Sequence, residues 1–409
     1  MRKYPGSQPL ATCRSSRVAS PDLLNVARDN RPVDLGVYVH IPFCATRCDY
    51  CDFATWTDRG HLVADYVDAC ITDIEHQFSR DLRSATSVFF GGGTPSLLPA
   101  TAISRILAAI PRARDAEVTV ECNPDSVDQA KLSAYAHAGV RRLSFGVQSM
   151  RTHVLAALGR THDPANVDRA VRWARAEGFD DVNLDLIYGT PGESRADWQA
   201  TIAGALALRP SHVSAYALTV EPATPLGRRV HDGSALPPDD DDQAAKYEIV
   251  DDALSAAGYE WYEISNWSRP GRTCRHNELY WAQGEYVAIG CAAHGHAGGR
   301  RWWNVRTPER YIDAIGRGSS PVAGEEHLDA TAAEAEQFGL ALRTRRGAVP
   351  LRGCGDVVSE LSAAGLLVPV ADRVVLTRRG RLLASDVTAR FLAATERHGS
   401  ALALGRLEC

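Results

Sequence analysis

Lysine is nearly absent from this sequence: of 409 residues only Lys3, Lys131 and Lys246 carry it, although lysine and arginine together number 45. Arginine therefore supplies almost all the positive charge. With the abundant alanine, this reads as the codon bias of a GC-rich genome and not as a functional signature. A broad basic field is missing too. Acidic side chains number 50 and the formal net charge is −5, so no nucleic-acid partner is expected. No uninterrupted apolar run reaches the roughly 18 residues that a membrane-spanning helix needs. The N-terminus lacks an apolar signal core, so export is not expected. The ten cysteines do not follow the pattern of a small secreted scaffold. They fit a metal cofactor in a reducing, cytoplasmic setting better than disulfides.

A chain of this length exceeds one simple core and implies two or three domains. Residues 1–33, rich in Pro, Ser and Arg, read as an irregular extension. Beyond them, short apolar runs alternate with helical patterns. Strands are expected at Gly36–His40, Ser87–Phe90, Glu117–Cys122, Arg142–Val147, Asp181–Ile187 and His212–Val220. Helices are expected near 61–80, 101–110, 127–138, 164–177 and 195–208. Six such repeats predict an α/β fold whose parallel sheet curls into a partial (β/α)6 barrel over 34–225. Residues 226–327 read as an appended region. Residues 328–409 read as a small winged-helix-like domain that packs on the barrel, since no cationic recognition helix stands out.

What the chain does concentrate is three cysteines, Cys44, Cys48 and Cys51, just after the first strand. Each thiolate can bind one iron of a [4Fe–4S] cube, which normally takes four protein sulfurs, so three leave one iron open. A zinc site or a set of buried thiols is the alternative. The CxxxCxxC spacing after a short strand resembles the radical S-adenosylmethionine (SAM) enzymes. That resemblance implies an open iron that chelates the methionyl amine and carboxylate of SAM. It also implies an electron from the cluster that cleaves the sulfonium to a 5′-deoxyadenosyl radical.

In a βα barrel the loops after the strands share one mouth. Gly91-Gly92-Gly93-Thr94-Pro95 follows the second strand, Glu121 ends the third, Gln148 follows the fourth and Asp185 lies late in the fifth. Read alone, Glu121 is equally a solvated strand end, and the same holds for Gln148, Arg160 and Asp185. Together they supply hydrogen bonds for ribose hydroxyls and a cation for a carboxylate. Asp185 sits in an otherwise apolar run, where an unpaired charge would cost several kcal/mol, so a polar partner is expected.

Here the resemblance narrows. Tyr38-Val39-His40-Ile41-Pro42-Phe43-Cys44, Phe90-Gly91-Gly92-Gly93-Thr94-Pro95-Ser96, Leu143-Ser144-Phe145-Gly146-Val147-Gln148-Ser149 and Asp185-Leu186-Ile187-Tyr188-Gly189-Thr190-Pro191-Gly192 resemble the oxygen-independent coproporphyrinogen oxidase superfamily. The resemblance implies that Tyr38, Gly92, Gly93, Thr94, Glu121, Gln148, Arg160 and Asp185 line a SAM site. The glycine triplet resembles the GGE-type motif that takes the SAM amino group. True oxidases carry a further cysteine two residues after the third; this chain has Phe53 there. In that respect it is similar to the HemW-type heme chaperones.

The string His276-Asn277-Glu278-Leu279-Tyr280-Trp281 resembles the HNxxYW motif that is implicated in heme binding in that group. It points to His276, Asn277, Tyr280 and Trp281 as heme contacts. A neutral imidazole suits an axial iron site, and Tyr280 and Trp281 offer flat apolar surface for a macrocycle. Cys274 is a competing thiolate, with a small buried residue as the alternative. His294 and His296, in the Gly-rich stretch Gly290–His296, read as part of a loop closing over the barrel mouth, with a metal or heme contact as the second reading.

The function this resemblance implies is a heme chaperone that passes heme to apo-hemoproteins such as respiratory enzymes, with a SAM-binding [4Fe–4S] cluster fed by a reductant. It leaves room for a homodimer and for a transient visit to a membrane surface. The alternative is oxidative decarboxylation of coproporphyrinogen III, and a third reading is a radical SAM protein acting on an unrelated substrate.

Overall fold

Near-continuous apolar runs make buried parallel strands, because both faces of such a sheet are covered. The first, β1 (Leu35–Ile41), is buried at every position except Tyr38. The computed structural model describes residues 34–405 apart from positions 80 and 82, with side chains described as far as 395. The extension expected over 1–33 lies outside the described residues.

After β1 come β2 (Ala85–Gly92), β3 (Arg112–Cys122), β4 (Arg142–Gln148), β5 (Asp181–Tyr188) and β6 (His212–Ala217), each parallel to the one before. The connecting helices include Val63–Phe78, Ala100–Ala109, Gln129–Ala138, Pro164–Ala176 and Arg195–Ala207. Local chemistry sets their ends. Asp128 accepts from the Lys131 N–H, and Gly139 closes the same helix in the left-handed region. The helix Arg195–Ala207 opens with a Ser194/Asp197 capping box. The α/β partial barrel read from the sequence is the fold observed.

The segment after β6 lengthens this sheet at both edges. β7 (Glu260–Glu263) and β8 (Asn266–Ser268) add antiparallel strands beside β6. β9 (Glu285–Ile289) lies parallel to β1 on its other side, and β10 (His294–Ala297), β11 (Arg300–Asn304) and β12 (Val322–His327) continue antiparallel from it. Among the described residues the result is an open twelve-stranded sheet. The sequence had suggested a loop at His294 and His296; they belong to strand β10 instead. Short, glycine-interrupted runs such as this one carry little periodicity of their own and become strands only when a neighbour offers its edge.

The C-terminal part has helices Ala330–Leu342, Gly355–Ala363 and Ala384–Gly405 around the antiparallel hairpin β13 (Leu367–Val370) and β14 (Arg373–Leu376), a winged-helix-like arrangement. Its own apolar cluster includes Phe338, Leu342, Leu361, Val374, Val387 and Phe391. A buried Arg381–Asp251 pair, bonded at 3.0 and 2.7 Å and stacked 4.4 Å over Trp261, ties it to the barrel. Both described lysines are structural: Lys246 is buried against Glu193 (3.1 Å) and Asp242 (2.7 Å), and Lys131 donates to the Ser96 carbonyl at 2.6 Å. Among the described residues no helix is long and apolar enough to cross a membrane.

Candidate functional site

The loop after β1 carries Cys44, Cys48 and Cys51, all half-buried and none in a disulfide. Backbone bonds hold it open. The Cys44 N–H donates to the Trp56 carbonyl (3.0 Å), and the Asp49 N–H donates to that of Leu158 (3.0 Å). Arg229 pairs with Asp49 at 2.8 Å from the other side. Gly159 has φ of 68°, and a Cβ there would lie 2.7 Å from the Asp49 carboxylate, so only glycine lets this loop dock. Two donors reach the sulfurs: the Thr94 hydroxyl at 3.6 Å from Cys44 Sγ, and Arg160 Nη1 at 3.6 Å from Cys48 Sγ. Burial pushes the Cys51 thiol up to about 11 and also raises Cys44. Loading a metal would therefore release protons.

The glycine triplet packs directly against this loop. The Gly93 N–H donates to the Ile41 carbonyl (2.7 Å) and the Thr94 N–H to that of Phe43 (2.9 Å). A Cβ on Gly93 would fall 2.8 Å from the Phe43 carbonyl and 3.0 Å from Cys44 Sγ. The Gly92 N–H donates to Glu121 at 3.2 Å. Gln148, in the left-handed region at φ 62°, and Arg160 converge over Gly146, whose carbonyl Arg160 Nη2 meets at 2.5 Å. Gly146 is in turn the register partner of Asp185. Asp185 finds the partner its sequence setting demanded: it accepts from Ser144 and from Asn183, each at 2.8 Å. The expected SAM-site residues thus come together on the strand ends beside the cysteines.

Burial, and then the nearby Asp185 charge, push the Glu121 carboxyl from 4.5 up to about 8. Below the unfolded value both states hold the proton. Between about 4.5 and about 8 only the folded state keeps it, so stability falls as pH rises through that window. Glu121→Gln should flatten the decline in Tm of cluster-free protein between these values. An unchanged pH slope would show that Glu121 does not titrate there.

A cavity of about 860 Å³ opens beside Tyr38, His40 and the Asp52–Ala54 end of the cysteine loop. It extends under β9, β10 and β11, where Tyr286, His294, His296 and Trp303 line it together with Tyr280. Phe53, 64% exposed, stands at its rim. The Ala54 carbonyl holds His40 Nε2 at 3.0 Å and can only accept, so Nδ1 is left to accept from the Tyr38 hydroxyl at 3.1 Å.

Comparison with known proteins agrees with these features. Residues 38–203 match the radical SAM superfamily. The heme chaperone HemW of Mycobacterium tuberculosis is 45% identical over 369 residues, covering 87% of this chain and 94% of that protein. This chain belongs to the HemW family of radical SAM proteins. HemW of Escherichia coli is 36% identical over 380 residues, covering 88% and 98% of the two chains. The solved coproporphyrinogen III oxidase (HemN) of Escherichia coli superposes with a TM-score of 0.77 at 22% identity, over 88% of this chain and 90% of its own, which shows a shared fold.

The residues of this HemW-family chain fit the group its superfamily implies. Three thiols share one loop with a hydroxyl and a guanidinium aimed at the sulfurs, and Arg160 keeps a buried Nε without a partner among the described residues. Tyr50 lies among the same groups; its hydroxyl is raised by burial and then by Cys48. Neither Tyr50 nor His40 was singled out from the sequence, although both lie inside the motif that was.

The HNxxYW helix Arg275–Trp281 occupies another position, against the early parts of the strands. Glu117 on β3 accepts from the N–H groups of Arg275 (2.9 Å) and His276 (3.1 Å) and from Cys274 Sγ (3.4 Å). Burial raises the Cys274 thiol and so favours its protonated form. His276 is 1% exposed, stacks on Phe89, and has both ring nitrogens engaged, Nδ1 with Ser87 and Nε2 with Tyr280, each at 2.9 Å. Burial lowers it to about 3, so it stays neutral. In this conformation Ser87 and Tyr280 occupy both ring nitrogens, so His276 would have to give up one of them to meet iron. Tyr280 alone of the motif's four candidates lines the cavity. Trp281 is half-buried with its indole N–H unpartnered among the described residues. Asn277 starts a directed chain. It donates to the Tyr262 hydroxyl (3.0 Å), Tyr262 pairs with His212 Nε2 (2.9 Å), His212 Nδ1 with Asn183 (2.6 Å), and Asn183 donates to Asp185 (2.8 Å).

Proposed function

We propose that this protein is a heme chaperone that takes heme into the cavity beside Tyr38 and hands it to apo-hemoproteins, respiratory enzymes among them, from the cytoplasm. The observation that carries this reading is a cavity of about 860 Å³, walled by tyrosines, histidines, Trp303 and arginines, in a chain of the HemW family. A macrocycle needs flat apolar contacts, a soft nitrogen and cations for its carboxylates, and this wall offers all three. Cys44, Cys48 and Cys51 hold a [4Fe–4S] cluster. Gly92, Gly93, Thr94, Glu121, Gln148, Arg160 and Asp185, with Tyr38, hold SAM. When bound, the cluster supplies an iron with an open coordination position. The chain's own groups shape what reaches it: Thr94 and Arg160 donate toward the sulfurs, and Glu121 and Asp185 offer acceptors to hydroxyls. Phe53 stands where the oxidases of the superfamily carry a cysteine, which favours chaperone over oxidase.

A heme titration of anaerobically reconstituted protein, followed by visible absorbance, tests the reading. Saturable uptake near one heme per chain, followed by transfer to an apo-hemoprotein, is the expected result. Absence of saturable uptake would overturn it and turn attention to coproporphyrinogen turnover.

A further inference from the structure

We propose that the iron of the bound heme is ligated by Nε2 of His296 on β10. The inference rests on the chaperone reading above and names the ligand within that cavity.

Side chains two residues apart on a strand share a face. His294 and His296 therefore point the same way, and their register partners on β11, Trp303 and Arg301, line the same cavity. His296 also pairs across to Tyr286 on β9, another lining residue. What separates the two histidines is their second nitrogen. His296 Nδ1 lies 2.9 Å from the Gly284 carbonyl, which can only accept, so Nδ1 carries the proton. The lone pair is thereby fixed on Nε2, which has no hydrogen-bond partner among the described residues. An imidazole whose Nδ1–H is held by a backbone carbonyl is the arrangement that orients a metal-binding histidine and raises its basicity. His294 is exposed and stacked on Trp303 at 6.1 Å, with no partner fixing its tautomer among the described residues.

The surroundings suit the rest of the macrocycle. Tyr286 and Trp303 present aromatic faces on either side of the histidine pair. Arg301 is already neutralised by Glu326 (2.7 Å) and Glu336 (2.5 Å). Arg306 and Arg310 also line the cavity, are exposed and have no ion pair among the described residues, so they are the cations available to two propionates.

The test compares wild type, His296→Ala, His294→Ala and His276→Gln as full chains, reconstituted anaerobically and titrated with ferric heme and with metal-free protoporphyrin IX. Glutamine at 276 retains hydrogen-bonding groups for Ser87 and Tyr280, which protects the fold. For His296→Ala, heme affinity should fall by at least the roughly tenfold seen for groups that merely orient a metal ligand. Its Soret band should lose the histidine-ligated position and regain it with added imidazole, while protoporphyrin binds as in wild type. His294→Ala and His276→Gln should keep the wild-type Soret position. An unchanged heme spectrum in His296→Ala, or its loss only in one of the other two variants, would overturn the assignment. Equal loss of heme and protoporphyrin in His296→Ala would overturn it as well, because the residue would then shape the cavity and not bind iron. Failure of wild type to bind heme at all would sink the chaperone reading, and the ligand with it.

Discussion

Replacing Cys48 with alanine should leave a protein that takes up no stable iron–sulfur cluster. Three thiolates are the fewest that hold a cube while leaving one iron open, and two cannot keep it against solvent and competing thiols. Cys48 is also the sulfur that Arg160 Nη1 approaches at 3.6 Å, so its loss leaves a guanidinium facing the loop without that sulfur. The fold should survive. The loop is fastened by backbone bonds from Cys44 and Asp49 and by the Arg229–Asp49 pair, none of which uses the Cys48 side chain. Cys70→Ala is the matched control, since Cys70 is buried on a helix in the barrel core. Iron and sulfide analysis after anaerobic reconstitution should give near-zero content for Cys48→Ala and wild-type content for Cys70→Ala. Full retention of cluster absorbance in Cys48→Ala would remove the cluster assignment.

Weakened SAM binding with an intact cluster is the expected result for Asp185→Asn. The carboxylate is desolvated, which raises it, while Ser144 and Asn183 donate to it at 2.8 Å each and pull it back down. Asparagine keeps the shape but removes the charge and half the acceptor capacity. Hydrogen bonds to a charged group contribute about 1.5–3 kcal/mol, so affinity should weaken by roughly one to two orders of magnitude. Arg160→Gln should weaken SAM by a similar factor through the lost cation. Calorimetric titration of the reconstituted variants, with iron content measured on the same samples, separates the two effects. Unchanged SAM affinity in both variants would show that the site is mapped to the wrong strand ends. The chain Asn277–Tyr262–His212–Asn183 ends on Asp185, so the same asparagine variant also alters the last acceptor of a network that begins in the HNxxYW helix.

Much of this protein is legible without coordinates. CxxxCxxC is local: its spacing alone brings three thiols into one loop, whatever the rest of the chain does. The six parallel strands announce themselves because burial on both faces demands continuous apolar runs, and the barrel rule then sends Glu121, Gln148 and Asp185 to one mouth.

What the sequence left open is decided at long range. Nothing in HNxxYW says that His276 will meet Ser87, 189 residues away, and so occupy a nitrogen that iron would need. Nothing in the glycine-rich stretch around His294 says that it becomes a strand, because β10 exists only through the edge that β9 and β11 offer it. Residue identity determines which chemistry a side chain can do. Which of its atoms remain free to do it depends on hydrogen bonds to distant backbone and side-chain groups, and these exist only once the sheet has assembled.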